Sequence, residues 1–178
     1  MTFLVIAYPK FQQSDFDWIQ EYRSQHDNQF SLVKPHFSIV FGVHNMDRAS
    51  FLKEVRQQVK DVKMFDVDMR VATMTQYHDG SHYQEFLIPD TGYSNIVKLH
   101  DQLYSGLFKP YLRFDITYIP HIAIGYSEDP YASKKRIDEL NEGSGIAIHG
   151  HINGVDIIEH VDGTVSTIET ITLQEPKG

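Results

Sequence analysis

The feature that most constrains this chain is a five-residue phrase that occurs twice. Pro35-His36-Phe37-Ser38-Ile39 is matched by Pro120-His121-Ile122-Ala123-Ile124, with the histidines 85 residues apart (36 to 121) in a chain of 178. Each copy sets a Pro-His pair ahead of alternating apolar and small residues, the pattern of a strand with one buried face. Two further landmarks keep nearly the same spacing. Asp79-Gly80 and Asp162-Gly163, both strong turn pairs, lie 83 residues apart (79 to 162), and Phe3-Leu4-Val5-Ile6 is echoed by Phe86-Leu87-Ile88 at the same offset (3 to 86). A period this long is not that of a solenoid, and two copies imply a duplicated, bilobal domain.

The apolar periodicity predicts the order of elements. A strand over residues 3–8 precedes a helix over 14–25, with Ser14 as N-cap and Phe16, Ile19 and Tyr22 on one face. The first motif strand covers 35–41, and a helix follows over 47–60 with Phe51, Leu52, Val55 and Val59 inward. Strands over 64–77 and 82–88 flank Asp79-Gly80. The order then repeats: a helix over 93–108 with Ile96, Leu99, Leu103 and Leu107 inward, the second motif strand over 119–126, and a helix over 130–141 opened by Pro130. One strand over 146–160 leads through Asp162-Gly163 to a closing strand over 164–173. The expectation is an α+β fold: one bilobal domain spanning 1–178, with two antiparallel sheets flanked by helices and a central cleft. Its repeat units are about 1–80 and 81–163, with 164–173 left over as the closing strand.

Composition narrows the function classes. There is no cysteine, which excludes disulfides, thiolate metal sites and cysteine nucleophiles together. The opening apolar run is short and lacks a basic flank, so it reads as a strand and not a signal peptide. No run approaches the roughly 18 apolar residues of a membrane span. A soluble, cytoplasmic monomer is the expectation. The net charge of −8 opposes a nonspecific grip on long duplex nucleic acid, yet a small anionic ligand in a local pocket remains compatible with it.

Strand alternation puts His36, Ser38 and Val40 on one face and Phe37, Ile39 and Phe41 on the other. The same parity groups His121, Ala123 and Gly125, whose small side chains leave room for a ligand. The aromatic and branched faces belong in the core, so both histidines face the cleft. An imidazole titrates near 6.5, so an opposed pair can act as base and acid, work that contributes roughly 10² to 10⁴ in rate. Lys34 shares the His36 face and is placed to meet a phosphate. Tyr8, Tyr77 and Tyr126 lie at strand ends, where rings stack on unpaired bases. His149 and His151 alternate along a strand, with His160 following Glu159, and read as a solvated strand face and not as metal ligands. Gly143-Ser144-Gly145 lacks the Lys-Ser/Thr sequel of a phosphate loop.

Together, His36-Phe37-Ser38-Ile39 and His121-Ile122-Ala123-Ile124 resemble the paired His-x-Thr/Ser-x motifs of the 2H phosphoesterase superfamily. That superfamily includes the bacterial RNA 2′,3′-cyclic phosphodiesterases often named 2′-5′ RNA ligases. The resemblance implies a phosphodiesterase that needs no metal or other cofactor and acts on a small nucleotide or an RNA 3′ end. His36 and His121 would then serve as base and acid, and Ser38 would hold a phosphate oxygen. Ala123 departs from the pattern, which has Thr or Ser there. Loss of one such donor costs roughly 10² to 10³ in rate, by analogy with oxyanion holes. The result is a slow enzyme or, as the alternative, a nucleotide- or RNA-end-binding module of the same fold. Thr117, Ser127 or a tyrosine from another strand are the candidates to replace the missing hydrogen bond.

Overall fold

The chain crosses repeatedly between two antiparallel sheets. In the computed structural model, which describes residues 1–176, β1 (Thr2–Ala7), β3 (Phe37–Val43), β8 (Gly154–Val161) and β9 (Thr164–Thr172) form the first sheet, in the order β3-β1-β8-β9. The second sheet runs β2-β7-β4-β5-β6, from β2 (Lys10–Phe11), β7 (Ile148–Ile152), β4 (Phe65–Gln76), β5 (Tyr83–Pro89) and β6 (Ile122–Ser127). The helices are α1 (Gln13–His26), α2 (Arg48–Val59), α3 (Tyr93–Leu103) and α4 (Pro130–Asn141). This is the α+β fold, with two antiparallel sheets, that the sequence predicts. No helix among the described residues is long and apolar enough to cross a membrane.

The strand order exposes how the halves interlock. β3-β1-β8 in the first sheet has the same connectivity as β6-β5-β4 in the second, so each half of the sequence sends a strand into the other half's sheet. The helices cross as well. α1, which follows β1, packs on β6, whereas α3, which follows β5, packs on β3. α2 stays with its own sheet through Phe51, whose ring lies 5.1 Å from that of Phe3.

Local signals set most of the boundaries. Asp47 caps α2 by accepting from the Ser50 amide at 2.9 Å, and Asp129 caps α4 by accepting from the Tyr131 amide. Asp162 and Gly163 both take positive φ, the conformation of a two-residue hairpin turn between β8 and β9.

Four expectations are corrected. Ser14 lies inside α1, whose N-cap is Gln12 without a side-chain cap. α3 ends at Leu103 and not at 108, which leaves Leu107 54% exposed instead of inward. There Glu54 accepts from the Leu107 amide at 2.9 Å, and a Cβ on Gly106 would fall 1.8 Å from its carboxylate oxygen. The continuous strand over 146–160 is two strands, β7 and β8, in different sheets, broken at Asn153. Lastly, the Phe3/Phe86 echo is out of phase: Ile6 pairs with Ser38 and Phe86 with Ala123, so Phe86 corresponds to Ile6.

Candidate active site

The two motif strands lie at the edges of their sheets, and each carries the same irregularity. In the first sheet Ile6 faces Ser38 and Val5 faces Val40, so Ile39 is an extra residue. In the second, Phe86 faces Ala123 and Glu85 faces Gly125, so Ile124 is extra. A bulge of this kind inverts the alternation beyond it. Val40 is therefore in the core opposite Val5, not in the cleft with His36. Gly125 likewise faces the helices, not a ligand. A Cβ there would stand 2.7 Å from the Glu85 carboxylate and 3.1 Å from His26. Tyr126, beyond the bulge, turns to the cleft face beside its partner Gln84.

Both histidines stand just ahead of their strands, and both are held the same way. The His36 Nδ1–H donates to the Lys34 carbonyl at 2.7 Å, and the His121 Nδ1–H donates to the Ile119 carbonyl at 2.6 Å. A carbonyl only accepts, so Nδ1 carries the hydrogen in each neutral ring and Nε2 keeps its lone pair. Neither Nε2 has a hydrogen-bond partner among the described residues.

Two fastenings bring the motifs together. Arg23 donates to the Val33 carbonyl at 2.9 Å and pairs with Asp27, which anchors the segment leading into His36. The Tyr118 hydroxyl, three residues ahead of His121, donates to the Ser38 carbonyl at 2.9 Å. The second motif's approach is thus tied to the backbone of the first.

Burial lowers the pKa of both imidazoles, the dominant cause in each case. The charge of His36 lowers that of His121 further. Their ring neighbours differ. Phe86 stacks on His121 with centroids 3.7 Å apart, whereas Tyr8 meets His36 edge-on at 6.1 Å. Burial also raises the Tyr8 pKa, followed by the nearby charge of Asp156. Ile6, Phe86 and Ile158 are buried yet separate from the main core, and by strand parity they floor the cleft.

The remaining sequence-predicted residues fall as follows. Ser38 is partly buried on the cleft face of β3. Ala123 occupies the matching place on β6, paired across the ladder with Phe86. Lys34 is exposed, and the part of it that contacts the site is its carbonyl. Tyr126 is exposed and meets His82 edge-on, which in turn stacks on Tyr77 at 4.5 Å. Ser127 accepts from the Asp129 amide at 3.0 Å, and Thr117 is exposed. His149 pairs with Asp68, which raises its pKa.

Three residues escaped the sequence reading. Phe86 was visible only as a misphased echo. Asp156 interrupts the apolar run of β8, which was a usable signal. Glu85, wholly buried, accepts from Tyr22, Ser133 and Arg136 beneath β6. Two shallow recesses outside the cleft, beside Met64, Phe65 and Pro176, share no residue with it.

Comparison with known proteins agrees with this geometry. The described fold matches a Thermus thermophilus protein, TT0787, with a TM-score of 0.65 at 10% identity over 99% of this chain and 100% of that one. It also matches Escherichia coli LigT complexed with NADP+ (TM-score 0.60, 11% identity, 97% of each chain). Usb1 of Kluyveromyces marxianus is similar too (TM-score 0.56, 10% identity, 97% of this chain and 98% of that one). No curated protein sequence matches the chain significantly. The sequence model of the 2′-5′ RNA ligase superfamily matches residues 11–164, a span that holds both histidine motifs and both motif strands, and the chain belongs to that superfamily.

Proposed function

We propose that this protein is a metal-independent phosphodiesterase that opens a 2′,3′-cyclic phosphate, or cleaves a 2′-5′ linkage, on a nucleotide or RNA end. The observation that carries the reading is the matched pair of Nδ1–H···O=C bonds, which leaves two Nε2 atoms free on facing motif strands. One neutral Nε2 takes a proton from water as it attacks phosphorus. The other, protonated, gives its proton to the departing ribose oxygen. Ser38 donates to a non-bridging oxygen. Preorganised tautomers spare the reaction a reorientation step, and acid-base work of this sort contributes roughly 10² to 10⁴ in rate.

Burial favours the neutral form of both rings, which suits the base directly. The acid regains its proton when the phosphate anion enters, since a negative charge nearby favours imidazolium. The nucleotides carried by the E. coli LigT structures, NADP+ among them, support a small nucleotide as the ligand class.

A second reading has its own observation. Ala123, the cross-strand partner of Phe86, puts no hydroxyl at the place matching Ser38, which favours a nucleotide- or RNA-end-binding module with weakened catalysis. One experiment separates the two. Hydrolysis of the four nucleoside 2′,3′-cyclic phosphates is measured in EDTA for wild type, His36→Ala and His121→Ala. Turnover lost in both variants supports the enzyme. Binding of the products' 2′- or 3′-phosphates without turnover supports the module. Neither turnover nor binding by the wild type removes the site.

A further inference from the structure

The cleft that is to hold a phosphate also contains a carboxylate. Asp156 is only 9% exposed, although its neighbours in β8, Val155 and Ile157, belong to the core. The ladder places it. Ile6 pairs with Ser38 on one side and with Asp156 on the other, so all three share the cleft face of the first sheet. Thr170, the next residue in the row, donates its hydroxyl to Asp156 Oδ1. Among the described residues no fully buried side-chain nitrogen or oxygen lacks a partner. Oδ2, which receives no hydrogen bond, is therefore not sealed from solvent, and the face Asp156 shares with Ser38 is the cleft face.

The fold does not require a charge at this place. By the strand correspondence, the position matching Asp156 is Thr73, which pairs with Phe86 as Asp156 pairs with Ile6. Burying a carboxylate is costly, and one aimed at a phosphate would repel it. Asp156 is set back from Ser38 by two strand spacings, about 10 Å. That is the kind of span separating a ribose 2′,3′-phosphate from the far edge of its base.

We infer that Asp156 is a specificity-determining residue that reads the base of the bound nucleotide, selecting an edge rich in N–H donors. Guanine fits best. Its N1–H and N2–H₂ lie side by side, and Oδ2 and the remaining acceptor capacity of Oδ1 can receive both. Cytosine and adenine offer one amino group. Uracil presents a single N–H flanked by two carbonyls, which the carboxylate repels. The inference rests on the nucleotide reading proposed above and extends it to the base.

The test compares kcat/KM for guanosine and uridine 2′,3′-cyclic phosphates in wild type, Asp156→Asn and Asp156→Thr. Asparagine keeps the shape and an acceptor for Thr170 while adding a donor that suits a uracil carbonyl. Threonine copies the residue of the matching position and serves if the asparagine variant does not fold. Wild type should prefer guanosine by about tenfold or more, the size of a good base contact. Each variant should lose most of that ratio through a higher KM for guanosine, with uridine turnover retained as proof of folding. A wild type without guanosine preference, or a ratio that survives both substitutions, overturns the inference. If wild type turns over neither substrate, cyclic-phosphate hydrolysis of these two nucleotides fails separately from the base inference. Calorimetric binding of 3′-GMP and 3′-UMP then decides the base inference by the same ratio.

Discussion

The two motif strands share a backbone and differ in what they do with it. Around β3 the pattern is Ser38 beside Ile6, with Val40 beside Val5 behind them. Around β6 it is Ala123 beside Phe86, with Gly125 beside Glu85. Histidine, bulge and carbonyl bond are common to both. The first sheet packs an apolar interior and keeps its polar side chains, Ser38 and Asp156, on the cleft face. The second reverses this: its cleft face is an aromatic ring, and beneath it Glu85 and Ser133 are buried, held by the partly buried Tyr22 and Arg136. Duplicated geometry therefore does not oblige duplicated chemistry. The shared element is the strand that aims the histidine, and its neighbours differ in linked pairs. Ala123 faces Phe86, and Glu85 needs the room that Gly125 leaves.

The comparison breaks most visibly at Glu85. Removing one member of a buried ion pair strands the other, so Glu85→Ala should cost about 3–5 kcal/mol in denaturant melts. Glu85→Val with Gly125→Val and Arg136→Met copies the first lobe's solution, and should recover most of that loss. A melt in which Glu85→Ala is neutral would mean the polar cluster holds nothing together.

At the cleft, Ser38→Ala should lower kcat by roughly 10² to 10³, whereas Ala123→Ser should change it little, because Ser38 already supplies the donor to the phosphate oxygen. Equal effects would show that the phosphate lies symmetrically between the lobes. Acidity sharpens the same contrast. Burial lowers both imidazoles from their ordinary value near 6.5, so the free enzyme needs a pH below that value to hold one protonated and one neutral. kcat/KM should accordingly peak below about pH 6.5 and decline as the pH rises, when the acid loses its proton. A peak above neutrality would exclude two lowered imidazoles. The smallest effect concerns Phe86→Ile, which gives His121 the neighbour that Ser38 has. Less desolvated, His121 should titrate closer to its ordinary value by NMR while His36 stays put.

Much of this was legible in the chain. The Pro-His phrases located both strands, Pro130 announced α4, and Asp162-Gly163 its turn. These signals act within a few residues, through a ring that presets φ or a backbone that tolerates positive φ. What misled the reading was parity carried too far. Alternation assigned Val40 and Gly125 to the cleft, but an extra residue at Ile39 and Ile124 inverted it. A bulge is set by the partner strand, not by the strand's own composition. The break at Asn153 failed for a related reason: residues 146–160 are apolar enough for one strand, and only their pairing with β4 and β1 splits them between sheets.

By itself the sequence determined that this chain folds as a duplicated α+β domain with one histidine presented per motif strand. Those properties follow from local alternation, turn chemistry and a repeated phrase. The tertiary structure alone decided which strands share a sheet, that Tyr118 binds the Ser38 carbonyl, that Phe86 lies on His121, and that Asp156 faces the cleft. The last three join residues from 35 to 150 positions apart in the chain (86 to 121, and 6 to 156). Such contacts depend on how the sheets close over one another, which no short window of sequence encodes.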